Sequence, residues 1–174
     1  EALELLFAWA EERAAERAGA ARTTQFFVDE RDDSLRALLE ASGYAAIRSS
    51  FEMERSLEGE LTPPSWPEGV VAEPFVDAHA EAVHSAHVEA FTGNWGYERE
   101  SYEAWCAHNL SENDDTSLWR IAWDAGAVAG LCINGSRRGE DDTVGWVGVL
   151  AVRPRWRRKG LGEALLRAAF ATFA

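Results

Sequence analysis

One stretch near the end of the sequence combines residue types that suit the binding of a phosphate group. Residues 148–163 read G-V-L-A-V-R-P-R-W-R-R-K-G-L-G-E, and an amphipathic run continues from Leu161 to Ala174. A helix N-terminus presents unpaired backbone N–H groups, and the helix dipole favours an anion there. Gly160 and Gly162 carry no Cβ, so a ligand can approach the backbone closely. The pattern predicts a strand, a basic turn and a helix that bind phosphate through backbone amides.

The charge of the whole chain bears on how this basic turn is interpreted. The chain carries 17 Lys and Arg against 30 Asp and Glu, a formal net charge of −13, and five of the basic residues lie between Arg153 and Lys159. An acidic chain disfavours nucleic acid and anionic membrane as general partners. A solvated face and a nucleic-acid patch are the alternative interpretations of the cluster. We expect phosphate binding, no nucleic-acid partner and no membrane partner.

The second half of the chain supplies the elements that position this turn. Apolar periodicity and turn residues predict the following order. The elements are a strand Val70–Phe75, a helix Asp77–Phe91, a loop Thr92–Tyr97, a helix Glu98–Leu110, a hairpin of Leu118–Trp123 and Ala127–Ile133 around Asp124-Ala125-Gly126, a polar loop Asn134–Asp142, a strand Thr143–Val152 and the last helix.

The first half predicts a smaller set of elements, followed by a linker. Residues 1–18 have helical spacing, Thr23–Val28 predicts a buried strand, and Ser34 predicts the N-cap of a helix that Gly43 ends. Tyr44–Leu57 predicts one bent strand or two strands. Residues 59–69 contain three of the five prolines, as expected of a domain boundary. The whole is a mixed α/β chain built around one sheet, or around parts of two.

The basic stretch resembles the coenzyme A-binding motif of the GNAT superfamily of N-acetyltransferases. Leu150-Ala151-Val152-Arg153-Pro154 matches the family's apolar-x-Val-x-Pro, and Arg157-Arg158-Lys159-Gly160-Leu161-Gly162 matches its basic-x-x-Gly-x-Gly. The resemblance implies acetyl-CoA as co-substrate, with no metal. Its implied binding residues are Leu150, Ala151, Val152, Arg157, Arg158, Lys159, Gly160, Leu161, Gly162 and Glu163.

The resemblance extends over the whole chain, but in rotated order. Residues 69–174 resemble the first half of a GNAT domain, residues 1–58 resemble the second half, and 59–68 form the linker. The implied fold is α/β (α+β), the acyl-CoA N-acyltransferase fold, with a mixed, mostly antiparallel sheet flanked by helices. The rotated order across a domain boundary implies a tandem protein similar to the mycothiol synthase-like acetyltransferases of bacteria, with the flanking halves missing here.

The residues that would perform proton transfer are not evident. The family's tyrosine acid falls on Leu39, and the region that carries a glutamate base in many relatives reads Val144-Gly145-Trp146-Val147. Asp141 and Asp142 lie just upstream, in a predicted loop. An ammonium must lose a proton before it can attack a thioester, so a base is needed. The catalytic residues therefore stay unknown at this point.

The remaining candidate residues concern the acceptor, metals and redox state. The resemblance implies that Phe91, Asn94, Trp95 and Tyr97 line the acceptor site; the alternative is a packed loop. His84 and His87 lie three apart on a helix, but no fourth ligand accompanies them, so we predict no metal site. We expect Cys106 and Cys132 to be ordinary thiols, without a disulfide, in a reducing cytoplasm.

The sequence thus predicts an acetyl-CoA-dependent N-acetyltransferase of GNAT type. Its acceptor would be a primary amine of a small molecule or peptide, acetylated directly in a ternary complex. The alternative is a catalytically degenerate, CoA-binding or structural GNAT domain of a tandem protein, and Leu39 and the missing strand carboxylate favour that alternative.

Overall fold

The computed structural model describes residues 2–17, 24–111, 114–135 and 143–174. The chain divides into two compact units, Glu1–Glu54 and Arg55–Ala174. In the part of the chain that is described, none of the helices combines the length and the apolar character needed to cross a bilayer.

The described residues of the first unit contain two helices, α1 (Ala2–Arg17) and α2 (Asp33–Ala41). Phe7 of α1 packs against the rings of Phe26 and Tyr44, with ring centroids 5.5 and 5.6 Å away. Asp32 caps α2, because its side chain accepts a hydrogen bond from Leu35 N at 2.9 Å. The prediction of Ser34 as the cap was therefore wrong by two residues.

The strands predicted in the first half are absent from the described residues. Residues 24–28 and 44–57 have no regular secondary structure. Phe27 is 93% exposed and Phe51 is 90% exposed. A strand is stabilised by hydrogen bonds to a neighbouring strand, and none of the described segments pairs with these two. For the described residues, both strand predictions were therefore wrong, and so was the burial predicted for Thr23–Val28. Residue 23 lies outside the described residues.

The second unit is built on one antiparallel sheet with the order β1-β2-β3-β4. Its strands and helices occur in the predicted order: β1 Val70–Pro74, α3 Ala80–Phe91, α4 Tyr102–Asn109, β2 Arg120–Asp124, β3 Ala127–Gly135, β4 Trp146–Val152 and α5 Leu161–Phe173. Two cores flank the sheet. Phe75, Val83 and Trp105 belong to the core of the α3 side, whereas Leu161 and Leu165 belong to that of the α5 side.

The β2–β3 hairpin was predicted from its turn residues. Ala125 and Gly126 both have positive φ, 48° and 80°. Two central residues with positive φ suit a two-residue hairpin turn. The turn pairs Asp124 with Ala127.

Several element boundaries differ from the sequence-based prediction, among them one boundary each of α4, β3 and β4. Helix α4 begins four residues later than predicted, because the Ser101 side chain accepts from Ala104 N and caps the helix there. Strand β3 continues through Asn134, which is buried and donates from its side-chain amide to Leu118 O at 2.8 Å. Strand β4 begins at Trp146 rather than Thr143. The rest of the predicted polar loop, 136–142, including Asp141 and Asp142, lies outside the described residues.

Candidate functional site

The last strand of the sheet has an open edge. Strand β4 pairs with β3 on one side, and no strand among the described residues pairs with the other. Arg153 N donates to Ala129 O at 3.0 Å, which makes those two residues a hydrogen-bonded pair at the end of the β3–β4 register. Pairs alternate along an antiparallel ladder, so the backbone groups of Leu150 and Val152 point towards the open edge. A peptide-like ligand could pair with that edge.

A bulge interrupts β4 before this edge. Ile133 pairs with Val149 and Asn134 with Val147, so Gly148 is an extra residue on β4. Such an extra residue is left out of the ladder and bends the strand locally. The apolar run of the sequence gave no sign of this bulge.

The turn after β4 ends in an uncapped helix N-terminus. Arg158 and Gly160 adopt positive φ, 63° and 82°. Helix α5 then begins at Leu161, and its N-cap Gly160 has no side chain to accept from the first amides. The N–H groups of the first turn therefore lack intrahelical acceptors and can bind an anion. A positive φ raises the conformational energy of a residue with a side chain, and Arg158 adopts one in this turn.

The open edge, the turn and the helix N-terminus meet in one cleft of about 450 Å³. It is lined by Ala90, Phe91, Asn94, Leu150, Ala151, Val152, Trp156, Arg157, Arg158, Gly160, Leu161 and Gly162. Eight of the ten residues that were proposed to bind the cofactor therefore line this one cleft. Lys159 and Glu163 are exposed and lie beside the cleft rather than in its lining.

The loop proposed to bind the acceptor contributes two of its four residues. Phe91 and Asn94 line the cleft, whereas Trp95 and Tyr97 do not. Trp95 is 58% exposed. Tyr97 is half-buried and packs against Phe91, with ring centroids 5.7 Å apart. Tyr97 thus supports the ring that faces the cleft.

Two lining residues were not assigned by sequence reasoning. Ala90 contributes from the last turn of α3. Trp156 has two environments, one in the protein core and one at the cleft. It is 5% exposed within the α5-side core and it lines the cleft. Its Nε1 donates to Asp124 Oδ2 at 2.7 Å, which fixes the ring against the hairpin turn.

Partners within the protein already occupy part of the basic cluster. Arg153 donates to the Glu89 carboxylate and, from Nη1, to Val128 O at 2.9 Å. Arg157 donates to Val152 O and Ala90 O. Arg155 lies with its guanidinium 5.1 Å from the centre of the Trp156 ring. Arg157 keeps its charge, but two of its donors are used. Arg158 and Lys159 are exposed, and none of these contacts involves their side chains.

Behind Phe91, the buried face of α3 holds a histidine whose tautomer is determined by its partner. Trp105 Nε1 donates to His87 Nδ1 at 2.9 Å. An indole N–H can only donate, so His87 Nδ1 must be unprotonated. His87 also packs edge-on against Phe91, with centroids 4.9 Å apart. Its partner makes His87 Nδ1 unsuitable as a metal ligand, and no cluster of three metal-ligating side chains occurs among the described residues.

We expect the His87 ring to titrate below the ordinary histidine range. Burial lowers the pKa of His87, the neighbouring His84 lowers it further, and Glu100 opposes the shift. The folded state then takes up this proton at lower pH than the unfolded state. Its contribution to stability is complete above about pH 6.5 and is lost as the pH falls from there through the folded pKa. An NMR titration of the folded chain should place the His87 midpoint below about 6.5; a midpoint at or above it would contradict this environment.

The proton-transfer residues are still not identified by the geometry. Leu39 is 5% exposed in α2 of the first unit. Residues 144–147 carry no carboxylate. The described lining of the cleft contains Asn94 as a neutral polar side chain and two arginines, which are poor bases at neutral pH. The arrangement suits an anion and an extended chain as ligands, and the general base is not assigned.

The second unit thus brings a sheet with an open last edge, a basic turn and an uncapped helix N-terminus together in one cleft. The model of the acetyltransferase (GNAT) family matches residues 80–174. The chain belongs to that family and has the GNAT fold, an antiparallel four-stranded open sheet flanked by helices.

Solved structures agree with this assignment. A GCN5-related N-acetyltransferase from Sphaerobacter thermophilus is 28% identical, with a TM-score of 0.75 over 97% of this chain and 54% of its own. The chain thus spans about half the length of that relative. GNAT proteins from Kribbella flavida and Staphylococcus aureus Mu50 are 21% and 12% identical, each with a TM-score of 0.50, over 61% and 60% of this chain and 66% and 65% of their own. The likeness to these two shows the fold alone. Among curated proteins, no match was found.

Proposed function

We propose that the chain binds acetyl-CoA in the cleft between β4 and α5 and transfers its acetyl group to a primary amine of a small molecule or peptide. The observation that carries the proposal is the continuity of the cleft. An open strand edge at Leu150–Val152 leads directly to an uncapped helix N-terminus at Leu161. Coenzyme A has the matching order of groups, an amide-containing arm followed by a pyrophosphate.

The residues present fit the two ends of such a ligand. The first amides of α5, with the charges of Arg158 and Lys159, would bind the pyrophosphate. The outward backbone groups of Leu150 and the N–H of Val152 would pair with the amides of the arm. A Cβ at Gly162 would meet no heavy atom closer than 3.7 Å, so packing in the ligand-free protein does not require a bare backbone there, whereas the positive φ of Gly160 by itself favours glycine.

Bound acetyl-CoA would supply an activated acyl group as a thioester. The chain's part is to orient it and to exclude water from the cleft. Backbone N–H groups near the bulge at Gly148 could stabilise negative charge on the acyl oxygen. An amine that enters beside Phe91 and Asn94 would form the N–C bond as the C–S bond breaks, without a covalent enzyme intermediate. The amine would lose one proton and the leaving thiolate would gain one, by groups not yet assigned.

A second candidate function is a non-catalytic CoA-binding domain. Two observations favour it: Leu39 stands where the resemblance implies an acid, and residues 144–147 lack a carboxylate. Both functions use the same cleft and differ in turnover alone.

We further propose that the chain holds parts of two GNAT domains of a tandem protein, with residues 1–58 from one, 69–174 from the next and 59–68 as linker. The family match is confined to residues 80–174, and the chain spans about half of the Sphaerobacter relative. The two compact units, divided between Glu54 and Arg55, are compatible with this division.

The cysteines bear on the compartment. Cys106 and Cys132 are free thiols, which suits a bacterial cytoplasm.

Calorimetry followed by a turnover assay tests the proposal in two steps. We expect saturable binding of acetyl-CoA with a dissociation constant well below ~1 mM. No heat of binding at millimolar acetyl-CoA would refute both candidate functions. Given binding, release of free thiol in the presence of a panel of primary amines, against an amine-free control, distinguishes transfer from simple binding. Binding without amine-dependent release would leave the second candidate.

A further inference from the structure

Arg157 lies between two sides of the cleft, and its side chain contacts backbone on both. Its Nε donates to Val152 O at 2.9 Å, and its Nη2 donates to Ala90 O at 2.7 Å. Val152 is the last residue of β4, whereas Ala90 belongs to the last turn of α3. The planar guanidinium offers several donors in a fixed geometry, which suits it to join two carbonyl groups.

The end of α3 shows why this contact matters. The final carbonyls of a helix need donors from outside the regular ladder. Val88 O accepts from Thr92 N and Oγ1 at 2.9 and 2.7 Å, and Phe91 O accepts from Asn94 N at 2.9 Å. Ala90 O accepts from Arg157, 67 residues away in the sequence. A cation is also favoured at the negative end of a helix dipole.

We propose that Arg157 is a positioning residue that fixes the acceptor side of the cleft to the phosphate-binding turn. This reassigns its side chain from phosphate binding, the role that the family resemblance implied, and it rests on the proposed function for its meaning in catalysis. Phe91 and Asn94 follow Ala90 directly and line the cleft. A shift of the last turn of α3 would therefore move the surface that an amine must cross.

A second arginine, Arg153, also contacts the end of α3. Arg153 contacts the Glu89 carboxylate and Val128 O. Two consecutive α3 residues, Glu89 and Ala90, are thus bound by two arginines of the β4–α5 connection.

The hydrogen bond from Arg157 to Val152 O also affects the open edge of β4. It uses one lone pair of the Val152 carbonyl, so the Leu150 groups and the Val152 N–H are the groups of the open edge that are wholly available to a ligand.

Arg158 provides a matched control. It is the next residue in the chain, it is exposed, and it lines the same cleft. Its charge lies beside the helix N-terminus, where a phosphate ligand would benefit from it. Comparing Arg157 with Arg158 therefore separates positioning from charge.

Hydrogen exchange on the ligand-free 174-residue chain tests the positioning role. We expect Arg157→Gln and Arg157→Lys to accelerate amide exchange in residues 92–97 by about tenfold or more, because one charged donor to α3 is lost. Lysine keeps the charge but not the planar fork, so it should fail to restore protection. Arg158→Gln should leave this segment unchanged. Wild-type exchange at 92–97 in Arg157→Gln would overturn the proposal.

Titration with acetyl-CoA adds a readout that general stability would not change. In the wild-type chain, acetyl-CoA should slow exchange at 92–97. Arg157→Lys should weaken that coupling while the β-sheet amides keep wild-type protection. Arg157→Lys with wild-type affinity and coupling, beside an Arg157→Gln that loses both, would show that charge alone matters and would overturn the proposal. A wild-type chain that does not bind acetyl-CoA would refute the proposed function, whereas the ligand-free exchange would still decide the role of Arg157.

The wild-type side chain can also be observed without substitution. The Arg157 Nε–H resonance should be protected from solvent exchange and should change little when inorganic pyrophosphate is added. A large pyrophosphate-induced shift of that resonance, equal to the shift seen at Arg158, would assign Arg157 to the phosphate instead.

Discussion

Replacing Gly162 by leucine is expected to lower acetyl-CoA affinity by roughly 100-fold or more, because the first turn of α5 can no longer approach a pyrophosphate. Gly162 lines the cleft at the second position of the helix. A leucine side chain there would occupy space beside the unpaired amides. The ligand would lose several charge-assisted hydrogen bonds at once.

The same substitution should leave the fold intact, which makes the binding result interpretable. A Cβ built at Gly162 comes no closer than 3.7 Å to its nearest neighbour, Val152 Cγ2. Leucine and alanine are also better helix formers than glycine by about 0.5–1 kcal/mol. We therefore expect an unfolding midpoint at or slightly above that of the wild-type chain.

Two control variants define the effect. Gly162→Ala adds a single methyl group and should retain most of the binding. Ala171→Leu places the same leucine side chain at an exposed position of the same helix and should bind like the wild-type chain. Calorimetry with acetyl-CoA and thermal unfolding measure both quantities. Wild-type affinity in Gly162→Leu would show that the helix N-terminus does not bind the cofactor.

The sequence was most informative where structure depends on neighbours along the chain. The β2–β3 hairpin follows from Asp124-Ala125-Gly126, and the turn into α5 follows from the basic run and its glycines, because dihedral preference and charge are local properties. The strands predicted at 23–28 and 44–57 depend instead on a partner strand. Phe27 and Phe51 have the residue type of a strand interior, but no described strand pairs with them and both are exposed.

The candidate site shows the same division. The family resemblance pointed to a set of residues proposed to bind the cofactor, and the structure brings most of them into one cleft. The sequence could not show that Arg153 donates to Glu89 and Val128 or that Arg157 donates to Ala90, because these partners are distant in the chain. Five clustered positive charges predicted an anion site. Which of them remain available for an anion depends on tertiary contacts that no local pattern encodes.

Gly130→Ala is expected to destabilise the second unit by about 2–3 kcal/mol, because a single methyl group cannot be accommodated between the sheet and α5. Gly130 lies in β3 and is fully enclosed by neighbouring strands and helix. A Cβ at this position would lie 2.8 Å from Ala151 O, 3.0 Å from Leu165 Cδ1 and 3.4 Å from Leu161 Cδ2. The first of these atoms is backbone of β4 and cannot rotate away.

Relief of this contact requires β4 or α5 to move, so stability and the cleft are both affected. The midpoint of thermal unfolding should fall by about 4–12 °C. Acetyl-CoA affinity should fall as well, because Ala151 and Leu161 line the cleft. Gly162→Ala provides the opposite expectation for the same chemical change, since it adds a methyl group to a helix without a close contact. If Gly130→Ala unfolded at or above the wild-type midpoint, the close packing of α5 on β3, and with it the position of the helix N-terminus beside β4, would be wrong.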